Sequence, residues 1–402
     1  MIRNLTNTSG TLYRGKGTES PDFTKRKRRA GMKRLLSLAM AAAMVTSLCA
    51  CGGGSTTTAT TAAAGNSGTT ESGATAAAGN SGTTESGATA ATDGKNYDNV
   101  TLKLSYATGD TGMDGLTAIE FERLVEEKSG GKVQINRFPN CQLSGGDMVR
   151  HVEMMISGGA FELAIISENS FSDVDQTFQV TSIPFAFKNY DEAWEKADST
   201  GGEFAKNLFD KYGVVYLSTF PNGIMQFANN KRELHTPADM KNLKMRTYGD
   251  LQMSLMRSLG ADPTQLSWSE LYSALQTGAV DGNMNGYQTL YSGSLHEVQP
   301  YITEVNVTLA LYDFLANKAS WEKLSPDTQE LLQECATEAA QWGRDYMSKT
   351  EAEVKQTMID YGVKVYVPTD EELQAFKDGA APTIEEYKGI VGEEACKAWG
   401  IE

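Results

Sequence analysis

The stretch that decides the architecture is residues 325–362, "SPDTQELLQECATEAAQWGRDYMSKTEAEVKQTMIDYG". Ser325 is a favourable N-cap, and Pro326 suits the first helical position, where its missing N–H costs nothing. No further proline occurs up to Tyr361, Gly343 is the one glycine inside, and Gly362 supplies a stop. The spacing predicts a single helix over 326–361, ~54 Å long at 1.5 Å per residue. A small domain is ~30 Å across, so this helix must run along more than one lobe. It shows no sustained a/d heptad, which argues against a coiled coil.

The elements before it alternate. "VTLKLSYA" (100–107) reads as a strand and "GMDGLTAIEFERLVEEKSGG" (112–131) as a helix ending on glycines. "KVQINRF" (132–138), "GGDMVRHVEMMISGG" (145–159) and "FELAIIS" (161–167) continue as strand, helix, strand. Such alternation predicts a parallel sheet covered by helices. A second set begins near Asn222. "GIMQFANNK" (223–231) and "LKMRTYG" (243–249) read as strands, and "LQMSLMRSLG" (251–260) as a helix. "SWSELYSALQTG" (267–278) is a helix opened by a capping box, Ser267 to Glu270. "AVDGNMNGY" (279–287) reads as a tight, glycine-bearing loop. In "LKMRTYG" the two-residue period puts Arg246 near the carboxyl end of its strand.

That arginine sits in an acidic chain. The 402 residues carry a formal charge of −15. Residues 1–50 hold ten Lys and Arg against two Asp and Glu, which leaves −23 for the rest. No basic stripe is present, so nucleic acid is excluded as a partner.

Met32-Lys33-Arg34 followed by "LLSLAMAAAMVTSL" (35–48) has the form of an export signal, with Met32 as a candidate start. The apolar run is too short to span a bilayer core. "LCAC" (48–51) resembles a bacterial lipobox, with Cys51 as the lipidated cysteine and two acyl chains as a stable anchor. Residues 52–96 form a tether in which "AAAGNSGTTESGAT" occurs twice, at 62–75 and 76–89. Its composition cannot bury a core. Cys141, Cys335 and Cys396 have no metal or disulfide spacing and read as buried free thiols.

Catalytic patterns are absent. The three histidines, His151, His235 and His296, form no H-E-x-x-H, and no G-x-S-x-G, Walker A or G-x-G-x-x-G occurs. His151 shares a helix with Glu153 and reads as half of a surface pair. No enzyme activity, cofactor or metal is expected.

"IPFAF" (183–187), "GKVQINRFPNCQLSGG" (131–146), "PADMKNLKMR" (237–246) and "GADPTQLSWSELYSALQTGAVDGNMN" (260–285) resemble the solute-binding proteins of tripartite ATP-independent periplasmic (TRAP) transporters, the dicarboxylate-binding type. The resemblance covers about 98–390. It implies an α/β, two-lobed periplasmic-binding-protein clamshell, with the long helix spanning both lobes. Lobe one is expected at 97–222 plus about 311–349, and lobe two at 223–310 plus about 350–402. It further implies a carboxylate ligand between the lobes and delivery to TRAP integral membrane subunits driven by sodium. Residue by residue, Arg246 matches the arginine that grips the carboxylate, and Asn285 an asparagine on the same group. Trp268 matches an aromatic wall. Ser167 and Tyr106 take strand-end positions in the opposite lobe. Two departures stand out. Met225, in "GIMQ", replaces a second arginine, and Gly286, in "MNG", replaces a proline, which points to a looser loop. An ABC-type receptor for another small solute and a ligand-sensing lipoprotein stay open as alternatives.

Overall fold

The computed structural model describes residues 94–401. The expected signal at 1–50, Cys51 and nearly all of the tether lie outside the described residues.

Two sheets organise the body. The first has the order β2-β1-β3-β10-β4, built from β1 (Val100–Tyr106), β2 (Val133–Phe138), β3 (Leu163–Ser167), β4 (Val214–Ile224) and β10 (Leu309–Asn317). The second has the order β11-β9-β5-β8-β6-β7. Its strands are β5 (Gln226–Asn229), β6 (Lys244–Thr247), β7 (Asp262–Gln265), β8 (Gly282–Asn285), β9 (Tyr301–Thr303) and β11 (Lys364–Tyr366). Neither sheet is purely parallel. β10 runs antiparallel to both β3 and β4, and β5 antiparallel to both β8 and β9. β10 has every residue buried and fills a central slot of the first sheet. A strand covered on both faces carries a continuous apolar run with no alternation to mark it.

The first lobe packs α1 (Met113–Ser129) on one face of its sheet. The other face takes α2 (Met148–Ser157) and α4 (Thr200–Lys211), and α3 (Tyr190–Ala197) lies alongside α4. Phe171, Phe178 and Phe209 meet there with ring centroids 4.7–5.2 Å apart. Each such fully buried side chain contributes about 1.5–3 kcal/mol. His151 is a correction. It is buried against Phe161, with ring centroids 4.8 Å apart, and forms no surface pair with Glu153. Burial holds its imidazole neutral, with the pKa pushed down to about 4.

The second lobe has α5 (Asp250–Ser258) on one face of its sheet and α6 (Trp268–Thr277) and α7 (Tyr287–Ser292) on the other. The stretch 282–285 is β8, not a loop. Main-chain pairing to β5 on one side and β6 on the other overrides the weak strand preference of "GNMN".

The lobes are joined by the passage from β4 into β5, by the return from β9 into β10, and, after the short α8 (Lys318–Trp321), by α9 (Pro326–Tyr361). Ser325 caps α9 by accepting from the Thr328 N–H, and Gly362 ends it in the left-handed region. Leu331 through Met347 pack on the first lobe, whereas Met358 packs on the second. α10 (Asp370–Val391) follows and packs on α5. α11 (Glu393–Trp399), expected in lobe two, instead lies against α3 and α4 of the first lobe, with Trp399 beside Phe187. Cys141, Cys335 and Cys396 are free and buried.

Candidate functional site

The site is built around a charge without a counter-charge. Arg246 is 6 % exposed, and among the described residues it is the only arginine or lysine that is buried. β6 fixes where it points. Met245 is level with Gly282 of β8 and faces the α5 side with Met284. Arg246, one residue on, therefore faces the α6 side, as do Asn283 and Asn285.

Its Nε donates to the Leu266 carbonyl at 2.9 Å, just before α6. Its guanidinium carbon lies 4.9 Å from the centroid of the Tyr248 ring, in cation–π range. No carboxylate among the described residues is within ion-pair distance of it. Burial pushes its pKa down to about 10, with the Tyr248 phenol opposing that shift, so the group remains a cation at neutral pH. A desolvated, unpaired guanidinium is costly, and its forked donors are shaped for a carboxylate.

Asn285 is buried at the end of β8, with Nδ2 lacking a partner. Trp268 opens α6, half-buried, with its ring edge against Gly293. The capping box differs from expectation. Ser267 hydrogen-bonds the Glu270 carboxylate at 2.5 Å and caps no backbone N–H. This end of α6 faces the first lobe, since a side-chain carbon added to Gly146 would stand 3.9 Å from Ser269 Oγ.

The structure brings Arg246, Asn285 and Trp268 together on the α6 side of the second sheet. The other three candidates are placed differently. Met225 is buried in the apolar cluster with Phe227, Met240 and Met284, on the α5 side. Ser167 donates its hydroxyl to the Leu311 carbonyl at 2.9 Å. Tyr106 is fully buried and hydrogen-bonds Asp110 at 2.5 Å, while Arg137 donates to its hydroxyl at 3.0 Å. Its phenol is held well above the usual range by burial, then by Asp110. Tyr106 and Ser167 thus stabilise the first lobe.

Three residues that sequence reasoning passed over complete the seam. Tyr248, two positions past Arg246, is half-buried and lies beside the amide of Asn169 in the first lobe. Neither Asn169 side-chain atom completes a well-formed hydrogen bond, although both are buried. Tyr312, on β10, lies near enough to Tyr248 that ionising either phenol would oppose the other; burial, then Asp114, Cys141 and Tyr248, holds its own phenol protonated. The aromatic directly after "KMRT" was a usable signal for Tyr248, whereas nothing local marked Asn169 or Tyr312.

A groove of about 620 Å³ between α5 and α10 is a different feature, lined by Ser254, Arg257, Thr383 and Glu386 among others. Ser254 there already bonds Thr383 at 3.1 Å and Glu386 at 2.6 Å. Its polar groups serve one another, and it lacks the unpaired buried base of the seam.

Comparison with known proteins agrees with this architecture. A C4-dicarboxylate-binding periplasmic protein, DctP of Vibrio cholerae, is 29% identical over 301 residues, 74% of this chain and 90% of that protein. A TRAP periplasmic solute-binding protein from Ralstonia eutropha H16, solved with (S)-2-acetolactate, is 28% identical with a TM-score of 0.72, covering 75% of this chain and 98% of the other. A counterpart from Shewanella oneidensis, solved with succinate, is 26% identical with a TM-score of 0.71, covering 75% and 98%. The model of the bacterial extracellular solute-binding proteins, family 7 (DctP), matches residues 104–389. The chain belongs to that family of extracytoplasmic solute-binding proteins.

Proposed function

We propose that this protein captures an organic acid between its two lobes and delivers it to a TRAP membrane complex. The observation that carries this reading is Arg246, a buried cation with no carboxylate beside it among the described residues. A ligand carboxylate supplies the missing charge, and the charge-assisted pair contributes about 1.5–3 kcal/mol net. Asn285 Nδ2 adds a donor from the adjacent strand, and Trp268 closes the rim. Ligand that touches both lobes favours the closed arrangement, which is the form handed to the membrane subunits.

The relatives with bound carboxylates are TRAP components, which favours this pathway over an ABC-type receptor. The family is one of solute-binding proteins, which favours capture over turnover. Lipidation at Cys51, with the repeat at 62–89 as a tether, would hold the body at the outer face of the cell membrane. Cys51→Ser should release the protein from the membrane fraction.

The central test is calorimetry with a panel of organic acids. Arg246→Ala should weaken the cognate acid by about 2–5 kcal/mol. Arg246→Lys should also weaken it, because a point charge does not replace the fork. Unchanged affinity in Arg246→Ala would reject the carboxylate reading.

A further inference from the structure

Among the described residues the seam has one buried positive charge, and the polar side chains named beside it, an amide and two phenols, are neutral. Arg246 is buried, and no second lysine or arginine is buried among the described residues. Met225, where the family resemblance leads one to expect a second arginine, is closed inside an apolar cluster. The half-buried arginine of the first lobe, Arg137, is occupied by Asp110 and Glu122. Tyr248, in cation–π range of Arg246, reaches across to the Asn169 amide and lies near the Tyr312 phenol of the first lobe.

Behind that wall the first lobe is acidic. Asp114 is buried and accepts from the Thr108 and Gly115 backbone N–H groups at 2.8 and 2.9 Å. Glu168, next to Asn169, is buried near Asp313 and accepts from Thr181 at 2.7 Å. A second ligand carboxylate would enter this wall without a counter-charge, and a buried unpaired carboxylate is strongly penalised. A hydroxyl or carbonyl oxygen meets no such penalty. The Asn169 amide, whose N–H side lies at the Tyr248 phenol, has an unmet acceptor, and Asn285 an unmet donor, both buried. Such groups discriminate strongly against a ligand that leaves them unmet.

We propose that the site selects monocarboxylic acids whose far end carries hydroxyl or oxo groups, and rejects dianionic dicarboxylates, with Asn169 as the selecting residue. This rests on the reading of Arg246 as the carboxylate anchor.

The test is titration calorimetry of the full chain with matched pairs: gluconate against glucarate, and 2,4-dihydroxybutanoate against malate. Within each pair the far end changes only from CH2OH to carboxylate. In the pair that fits, the monoacid should bind at least about tenfold tighter. Asn169→Lys should move the preference toward the diacid by a similar factor, and the near-isosteric Asn169→Asp should move it the other way. A diacid that binds as tightly as its monoacid partner, with binding lost in Arg246→Ala, overturns this inference and leaves the carboxylate anchor standing. If no member of either pair binds at millimolar concentration, or Arg246→Ala binds them unchanged, the anchor reading falls and this inference with it.

Discussion

Gly223 and Gly286 touch back to back where the chain passes from the first lobe to the second. A side-chain carbon on Gly286 would stand 3.1 Å from the Gly223 Cα and 3.4 Å from the Ile224 carbonyl. Gly286 has an ordinary extended backbone, φ −72°, so its reason for being glycine is the close approach and not an unusual turn. The site expected to be a looser loop is a tight backbone contact.

Gly286→Ala should therefore cost about 1–3 kcal/mol, because the obstructing neighbour is main chain and yields little. Thermal melts without ligand would register it. A variant as stable as the parent would show that Gly223 can move aside freely.

Arg246 makes opposite predictions for stability and for binding. Arg246→Met removes a buried cation without a counter-charge and loses one hydrogen bond to Leu266 and the cation–π contact with Tyr248. Relief of the desolvated charge outweighs both, so the ligand-free protein should gain about 1–3 kcal/mol while its ligand-induced melting shift disappears. Paired unfolding curves with and without ligand separate the two effects. A destabilised ligand-free variant would mean that the guanidinium is already compensated.

Glu168 and Asp313 give a pH dependence of definite sign. Burial, then the Asp313 charge, raises the Glu168 pKa, and burial raises that of Asp313 to about 7 from 3.8. Between those values the folded chain binds more protons than the unfolded one, so this pair lowers stability as pH rises. Asp313→Asn, of the same shape, should gain melting temperature relative to wild type progressively from pH ~4 to ~7. A difference that stays constant over that window would show that Asp313 ionises freely in the fold.

Trp268 should report ligand. Its indole is half-buried at the rim, its edge on Gly293 and its neighbour Ser269 facing the first lobe. Binding should change tryptophan emission, and Trp268→Phe should remove most of that change while leaving Trp399, fully buried far along the chain, as the control signal. Full retention of the change in the variant would place the ligand away from α6.

Much of this was legible because it was local. Ser325, Pro326 and Gly362 marked both ends of α9, and two-residue alternation put Arg246 on its strand. What could not be seen depended on distant chain. β8 looked like a loop because "GNMN" has little strand preference, and it becomes a strand through pairing on both edges. β10 went unread, and with it Tyr312, because its place between β3 and β4 is set by residues 85 or more positions away in sequence. Met225 lies at a matching motif position and Tyr106 at a strand end, yet the faces they present were decided by core packing.

Met347 and Met358 lie eleven residues apart on α9, just over three full turns, so the two lobes rest on nearly the same side of one rod. Deleting a single residue between them would swing Met358 by about 100° and draw it ~1.5 Å closer, turning one half of the molecule out of line with the other. Length changes in that span are tolerable only in near-whole turns, so natural variation there should come in steps of about three or four residues, or not at all.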